Sequence, residues 1–133
     1  HIAAVLLALV FWQGQSAWHK RLDWWGGATQ SPQTERQKKV AQAFLHAWRG
    51  YRATCWGKDE LLPVSRNCTQ EFGGLGVQIV DVLDSLWLMG PEEEYIKAKK
   101  WVLQNFSSAV NRSVSVFETT IRLLGGLLSA HHL

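Results

Sequence analysis

The sequence has few cysteines, few prolines and no long apolar run, and each shortage excludes something. Only two of the 133 residues are cysteine, Cys55 and Cys68. Two thiols thirteen positions apart are too few and too far apart for a zinc site, and they leave a single internal bridge as the only pairing, open or closed. The longest uninterrupted apolar stretch, Ile2 to Trp12, is eleven residues, well short of the ~20 that span a bilayer as a helix. No dense basic block is present: fourteen Lys and Arg against eleven Asp and Glu give +3, and the nearest cluster, "ERQKKV" at Glu35–Val40, reads as the solvated face of a helix start, so nucleic acid is not an expected partner. No Gly-rich phosphate loop occurs, because "GGLG" at Gly73–Gly76 is too short and follows no strand. No useful length of β alternation appears.

What is present is apolar and helical. Hydrophobic residues make up 47% of the chain, which excludes disorder over most of its length and suffices for one ordinary domain with a core. Residues 1–33 divide into the apolar segment, which suits the tail of a signal anchor or signal-peptide core as well as an unrelated buried helix, and a Gly/Ser/Gln/Trp-rich linker or stem. From Thr34, a fitting N-cap, Val40, Phe44, Ala47/Trp48 and Tyr51 form a stripe of helical period, with Gly57 just past the end. Gly57–Gly74 reads as an ordered loop, longer than most and carrying Asp59, Glu60 and Arg66. Leu75–Gly90 predicts a second helix, apolar on nearly every side and therefore buried. Pro91 opens a third, reaching Phe106, with Glu92, Glu93 and Glu94 in its first turn, where acids suit the helix dipole, and Tyr95, Ala98 and Val102 on one stripe. A fourth runs from about Val116 to His132. The pattern predicts an all-α fold of helix pairs joined by turns.

Candidate functional residues are the charges that sit on apolar helices. Glu118 fits S-x-x-E with Ser115, a capping box, and an i,i+4 ion pair with Arg122, a pairing that stabilises an exposed helix by ~0.3–0.5 kcal/mol. The same carboxyl, walled by Phe117 and Ile121, would be partly desolvated and held protonated as a general acid, with Arg122 placed for a sugar hydroxyl or a second carboxylate. Asp81 and Asp84 lie three apart on the buried second helix, a costly position without partners. They either cap or pair with arginines, or they point into a polar cavity. Asp59 and Glu60 are either turn chemistry or contacts at a ligand's rim. His131 and His132 are adjacent, face different directions and do not chelate one metal. Three N-x-S/T patterns, at Asn67, Asn105 and Asn111, lean toward a secretory-pathway chain.

Three strings in order, "FLHAWRGYRATCWGKDELLPVSR", "FGGLGVQIVDVLDSLWLMG" and "VSVFETTIRLLGGLLSAHHL", resemble the opening segments of the class I α-1,2-mannosidases, glycoside hydrolase family 47. The resemblance runs from about Thr34 to Leu133. It implies the first hairpins of a seven-hairpin α/α barrel, a partial barrel here, and inverting removal of terminal α-1,2-linked mannose from high-mannose N-glycans of glycoproteins. It also implies a Ca2+ ion whose threonine ligand lies outside this chain, and an endoplasmic-reticulum or Golgi lumenal setting of type II topology. Glu118 matches the family's acid in its F-E-[ST]-T-I-R motif and Arg122 the motif's arginine in the mannose pocket. Asp59, Glu60, Asp81 and Asp84 match acidic positions that shape the pocket or hold helices together. The remaining catalytic carboxylates fall beyond residue 133, so the segment alone is expected to be inactive. Cys55 stands where a small apolar residue is expected. The competing readings are a mannose-glycan-binding disposal factor of the same family and a non-catalytic helical interaction module in which Glu118 only caps a helix.

Overall fold

The computed structural model describes residues 34–133. The apolar segment and stem expected in residues 1–33 lie outside the described residues. Among those described, no helix is long and apolar enough to cross a membrane.

Helix α1 (Glu35–Cys55) starts where the sequence places it. Thr34 accepts from the Gln37 amide while the Gln37 side chain accepts from the Thr34 amide, a complete capping box. Its buried face keeps Phe44, Trp48 and Tyr51 of the expected stripe but not Val40, which is exposed, while Ala41 and Cys55 are buried instead. Positions 41, 44, 48, 51 and 55 satisfy the helical period as well as a stripe begun at 40, so spacing alone does not choose between them. Burial holds the Tyr51 phenol well above its usual pKa, and the neutral hydroxyl donates to the Lys58 carbonyl at 2.6 Å.

The segment expected to be irregular contains a small antiparallel ribbon, β1 (Glu60–Leu62) with β2 (Asn67–Thr69), paired Glu60 to Thr69, Leu61 to Cys68 and Leu62 to Asn67. It is an addition to an otherwise all-α fold, and strands of three residues are too short to show a period of two. Cys55 and Cys68 are joined, with Cα atoms 5.6 Å apart, so the end of α1 is bonded to β2. Gln78 reaches across to accept from the Leu61 amide at 3.1 Å, which ties β1 to the next helix.

That helix, α2 (Val77–Met89), is the centre of the core. Val77, Ile79, Val80, Leu83, Leu86 and Trp87 are buried on it. At roughly 1.5–3 kcal/mol per buried large apolar side chain, it is the largest single contributor to packing. It begins at Gly76, whose φ of +65° is left-handed and whose missing Cβ would otherwise stand 2.2 Å from the Trp101 ring. Helix α3 (Glu92–Asn105) follows Pro91, which is the N-cap rather than the expected first helical residue. Tyr95, Ala98 and Val102 are buried as the stripe predicts, and Trp87 meets Tyr95 edge-to-face at 4.9 Å. Glu94 does more than suit the dipole. Buried, it accepts from Trp48 Nε1 at 2.8 Å and pairs with Arg52 and Lys97, locking α1 to α3.

The last rod is one continuous helix in three parts: α4 (Val116–Glu118), a π-helical turn (Thr119–Leu124) and α5 (Gly125–His132). It lies against α2, burying Leu123 and Leu127. Gly126 permits the approach, since a Cβ there would meet the Val80 carbonyl oxygen at 3.1 Å.

Candidate functional site

The site is organised around Arg122, in the middle of the π-helical turn. Its Nε and Nη2 contact the same oxygen of Asp81, at 2.8 and 2.7 Å, and its Nη1 contacts Glu60 at 2.6 Å. The guanidinium stacks over the Phe72 ring at 5.1 Å. Three elements distant in sequence thereby converge: β1 supplies Glu60, α2 supplies Asp81 and the last rod supplies Arg122. The paired carboxylates hold the Arg122 guanidinium even more firmly charged, against the opposing effect of burial. Burial pushes the Asp81 carboxyl up, and the neighbouring Glu60 and Glu118 push the same way, while Arg122 opposes them.

Beside this cluster opens a groove of about 440 Å³. Its walls are Phe44, Ala47 and Trp48 from α1, Glu60 and Leu61 from β1, Gln78, Asp81 and Val82 from α2, and Arg122. The groove is an apolar trough with one charged end, a form suited to a small polar ligand with an apolar face.

Glu118 is half-buried, one turn before Arg122 and close enough to Asp81 to act on it electrostatically, but outside the groove's lining. The expected Glu118–Arg122 ion pair does not form, because the guanidinium is taken by Asp81 and Glu60 from other elements. The expected capping box is half made: Ser115 Oγ accepts from the Glu118 amide at 3.3 Å, and no return bond from the Glu118 side chain accompanies it. The expected apolar wall is also absent among the described residues, since Phe117 is 68% and Ile121 51% exposed.

Asp59 follows the first of its two readings, turn chemistry, rather than the ligand's rim. It is fully buried, with one carboxylate oxygen accepting from the amides of Phe72 and Gly74 and the other from Gly76 and Val77, at 2.8–3.4 Å. A carboxylate wrapped by four backbone amides caps α2 and shapes the loop before it, and it presents no face to a ligand. Asp84 also stands away from the groove, accepting from Ser129 Oγ at 2.7 Å and from Ser85 Oγ at 3.2 Å, a tie between α2 and α5. Of the six sequence candidates, the structure therefore gathers Glu60, Asp81 and Arg122 at the groove, sets Glu118 beside them, and gives Asp59 and Asp84 to the fold. Gln78, Phe72 and Phe44 were missed as contributors. Phe44 lay in plain view on the first stripe, whereas nothing local marks Gln78 or Phe72.

Among the described residues no group of three or more His, Cys, Asp or Glu is placed to hold a metal ion. Glu60 and Asp81 are both engaged by the single Arg122 guanidinium. The residues present do not by themselves fit a calcium site.

A model of glycosyl hydrolase family 47 matches residues 43–133. The chain belongs to this family. It is 52% identical over 103 residues to the endoplasmic reticulum mannosyl-oligosaccharide 1,2-alpha-mannosidase of Rattus norvegicus, covering 77% of this chain and 16% of that protein. It is 51% identical over 98 residues to the Homo sapiens protein of the same name, covering 74% of this chain and 14% of that one. A mannosyl-oligosaccharide 1,2-alpha-mannosidase of Arabidopsis thaliana matches at 48% over 99 residues, 74% of this chain and 18% of that protein. The chain thus spans about a sixth of the curated relatives it matches. The family 47 match takes in all of the groove: α1 from Phe44 on, the ribbon, α2 and the Arg122 turn.

Proposed function

We propose that the protein carrying this segment is an inverting glycoside hydrolase that removes terminal α-1,2-linked mannose from N-glycans, in the lumen of the endoplasmic reticulum or Golgi. In this reading residues 34–133 are the opening hairpins of an α/α-barrel catalytic domain. The observation that carries it is the convergence of Glu60, Asp81 and Arg122 on one groove, with Glu118 a turn away, inside the stretch that matches family 47.

The chemistry follows from the parts. Inversion at the anomeric carbon needs an acid on the departing oxygen and a base activating water from the other face, with about 6.5–9.5 Å between the two carboxyl groups. Glu118 is the acid, half-buried one turn before Arg122. The base belongs to sequence outside this chain. Arg122 spends three N–H groups on Asp81 and Glu60, which fixes the plane of the guanidinium. Of the five N–H groups an arginine carries, about two are left to donate to sugar hydroxyls. Phe44 offers an aromatic face to the apolar side of a pyranose ring. A calcium ion, held by residues outside this chain, would supply hard coordination for sugar hydroxyls.

Glu118→Gln in the full-length enzyme tests this. The substitution keeps size and polarity and removes the transferable proton. Release of mannose from a high-mannose oligosaccharide should be abolished while glycan binding persists. Turnover equal to that of the unsubstituted enzyme overturns the assignment.

A further inference from the structure

The sequon Asn67-Cys68-Thr69 has a disulfide cysteine as its middle residue, and all three residues form β2. Asn67 is exposed and pairs with Leu62 across the ribbon. Thr69 pairs with Glu60, and its Oγ1 is buried without a hydrogen-bond partner among the described residues. An unsatisfied buried hydroxyl is a cost to the fold. Valine would fill the same space without it, so the hydroxyl has no structural use here. It does have a use before folding, as the group that completes an N-x-T acceptor.

We propose that Asn67 is an N-glycosylation site whose occupancy is decided by a race with closure of the Cys55–Cys68 bridge. Glycan transfer joins Asn67 Nδ2 to the anomeric carbon of a lipid-pyrophosphate-linked oligosaccharide. It releases the lipid pyrophosphate, and an amide proton leaves to a base. Bridge closure converts two thiols into one disulfide, passing two electrons and two protons to an oxidised dithiol carrier of the compartment. The first reaction needs the Asn67 amide and the Thr69 hydroxyl free to converge on a transferase. The second fastens Cys68 to the end of α1, sets β2 in its ladder and buries Thr69 Oγ1. Whichever is first decides the outcome at Asn67.

The two other sequons are internal references. Asn105 with Ser107, and Asn111 with Ser113, have exposed asparagines and exposed serines at the end of α3 and in the connection beyond it. No disulfide encloses them, so they do not take part in the race.

The inference rests on the lumenal placement proposed above. It is tested by glycopeptide mass spectrometry on the full-length protein made in a secretory host, as the wild type, as Cys55→Ser and as the wild type synthesised with a thiol reductant present. Cys55→Ser leaves the Asn67 sequon untouched. The expected result is that the Asn67 peptide moves from mostly unmodified in the wild type to mostly modified in the variant and under reductant, with Asn105 and Asn111 unmoved. Thr69→Ala should abolish the Asn67 signal in every form. Equal Asn67 occupancy in all three samples overturns the proposal. So does a parallel rise at all three sites, which would point to slowed folding in general. An unmodified Asn67 throughout beside a modified Asn105 or Asn111 sinks this inference alone, and no modification anywhere sinks the lumenal placement with it.

Discussion

Arg122 and Asp81, 41 residues apart in sequence, meet through two guanidinium nitrogens on a single carboxylate oxygen. The contact is part-buried and is completed by Glu60 on the guanidinium's other side. Removing the arginine leaves two carboxylates facing each other in a partly desolvated place. Arg122→Ala should therefore destabilise the full-length protein by about 2–3 kcal/mol, between the value of an exposed pair and the ~3–5 kcal/mol for breaking a fully buried one, because all three side chains keep some solvent contact. Asp81→Asn added to Arg122→Ala should recover part of that loss. A double-mutant cycle by chemical denaturation measures the coupling, and additive effects would show that the contact does not stabilise the fold.

Asp59 gives a contrasting prediction. Asp59→Asn exchanges one accepting oxygen for an NH2 group and strips partners from up to two of the four amides it holds. The cost should be about 2–4 kcal/mol, read as a lowered thermal midpoint. Below that midpoint, KM for the oligosaccharide in the proposed reaction should be unchanged. A raised KM at an unaltered midpoint would return Asp59 to the ligand's rim.

Two carboxylates should shape the acid limb of the stability profile in opposite directions. Glu94 is lowered from the usual 4.5: burial raises it, but Trp48 Nε1, Lys97 and Arg52 together outweigh burial. The unfolded chain then binds the proton more readily, so this contribution is present above 4.5 and is lost as the pH falls toward the lowered folded value. Asp81 is raised from 3.8. The folded state binds its proton more readily, so its contribution grows as the pH falls through the raised value toward 3.8. Stability measured against pH should show a shallower acid-side decline in Glu94→Gln and a steeper one in Asp81→Asn.

The Cys55–Cys68 bridge closes a loop of 13 residues' separation. Loop-closure entropy gives such a link about 3 kcal/mol. Cys55→Ser with Cys68→Ser should lower the thermal midpoint by a corresponding amount, and a reductant should then no longer act through this link. Because the bridge anchors the ribbon that carries Glu60, KM should rise as well. A midpoint equal to that of the oxidised wild type would show that the bridge adds nothing.

What can be read from the sequence here follows the range over which each interaction acts. Thr34 as a cap and Tyr95, Ala98 and Val102 as a buried stripe were legible, because capping and helical period act within a few residues. Phe44, Trp48 and Tyr51 were legible on the first helix too, but the stripe starts at Ala41 rather than Val40, since 40 and 41 both fit the period and only packing separates them. The ribbon at Glu60–Thr69 left no signal in strands of three residues. At the site, spacing found Glu118 and Arg122 as neighbours but assigned the arginine's partner wrongly. Its carboxylates come from 41 and 62 residues away, where no local rule applies. The cysteines could be counted in the sequence, but whether they meet depends on where the ribbon folds back.

The π-helical turn at Thr119–Leu124 gives the last rod a place of slack. A wide turn accommodates one residue more than an α-helical path needs, without changing the direction in which the flanking segments point. Shortening the chain by one residue there would close the turn into ordinary α-helix, with Leu127 still inward and Ser129 still on Asp84. The same deletion one turn later, within Gly125–His132, would swing everything beyond it by about 100° and rotate the apolar face off α2. The rod can thus change length at the Arg122 turn without losing its alignment.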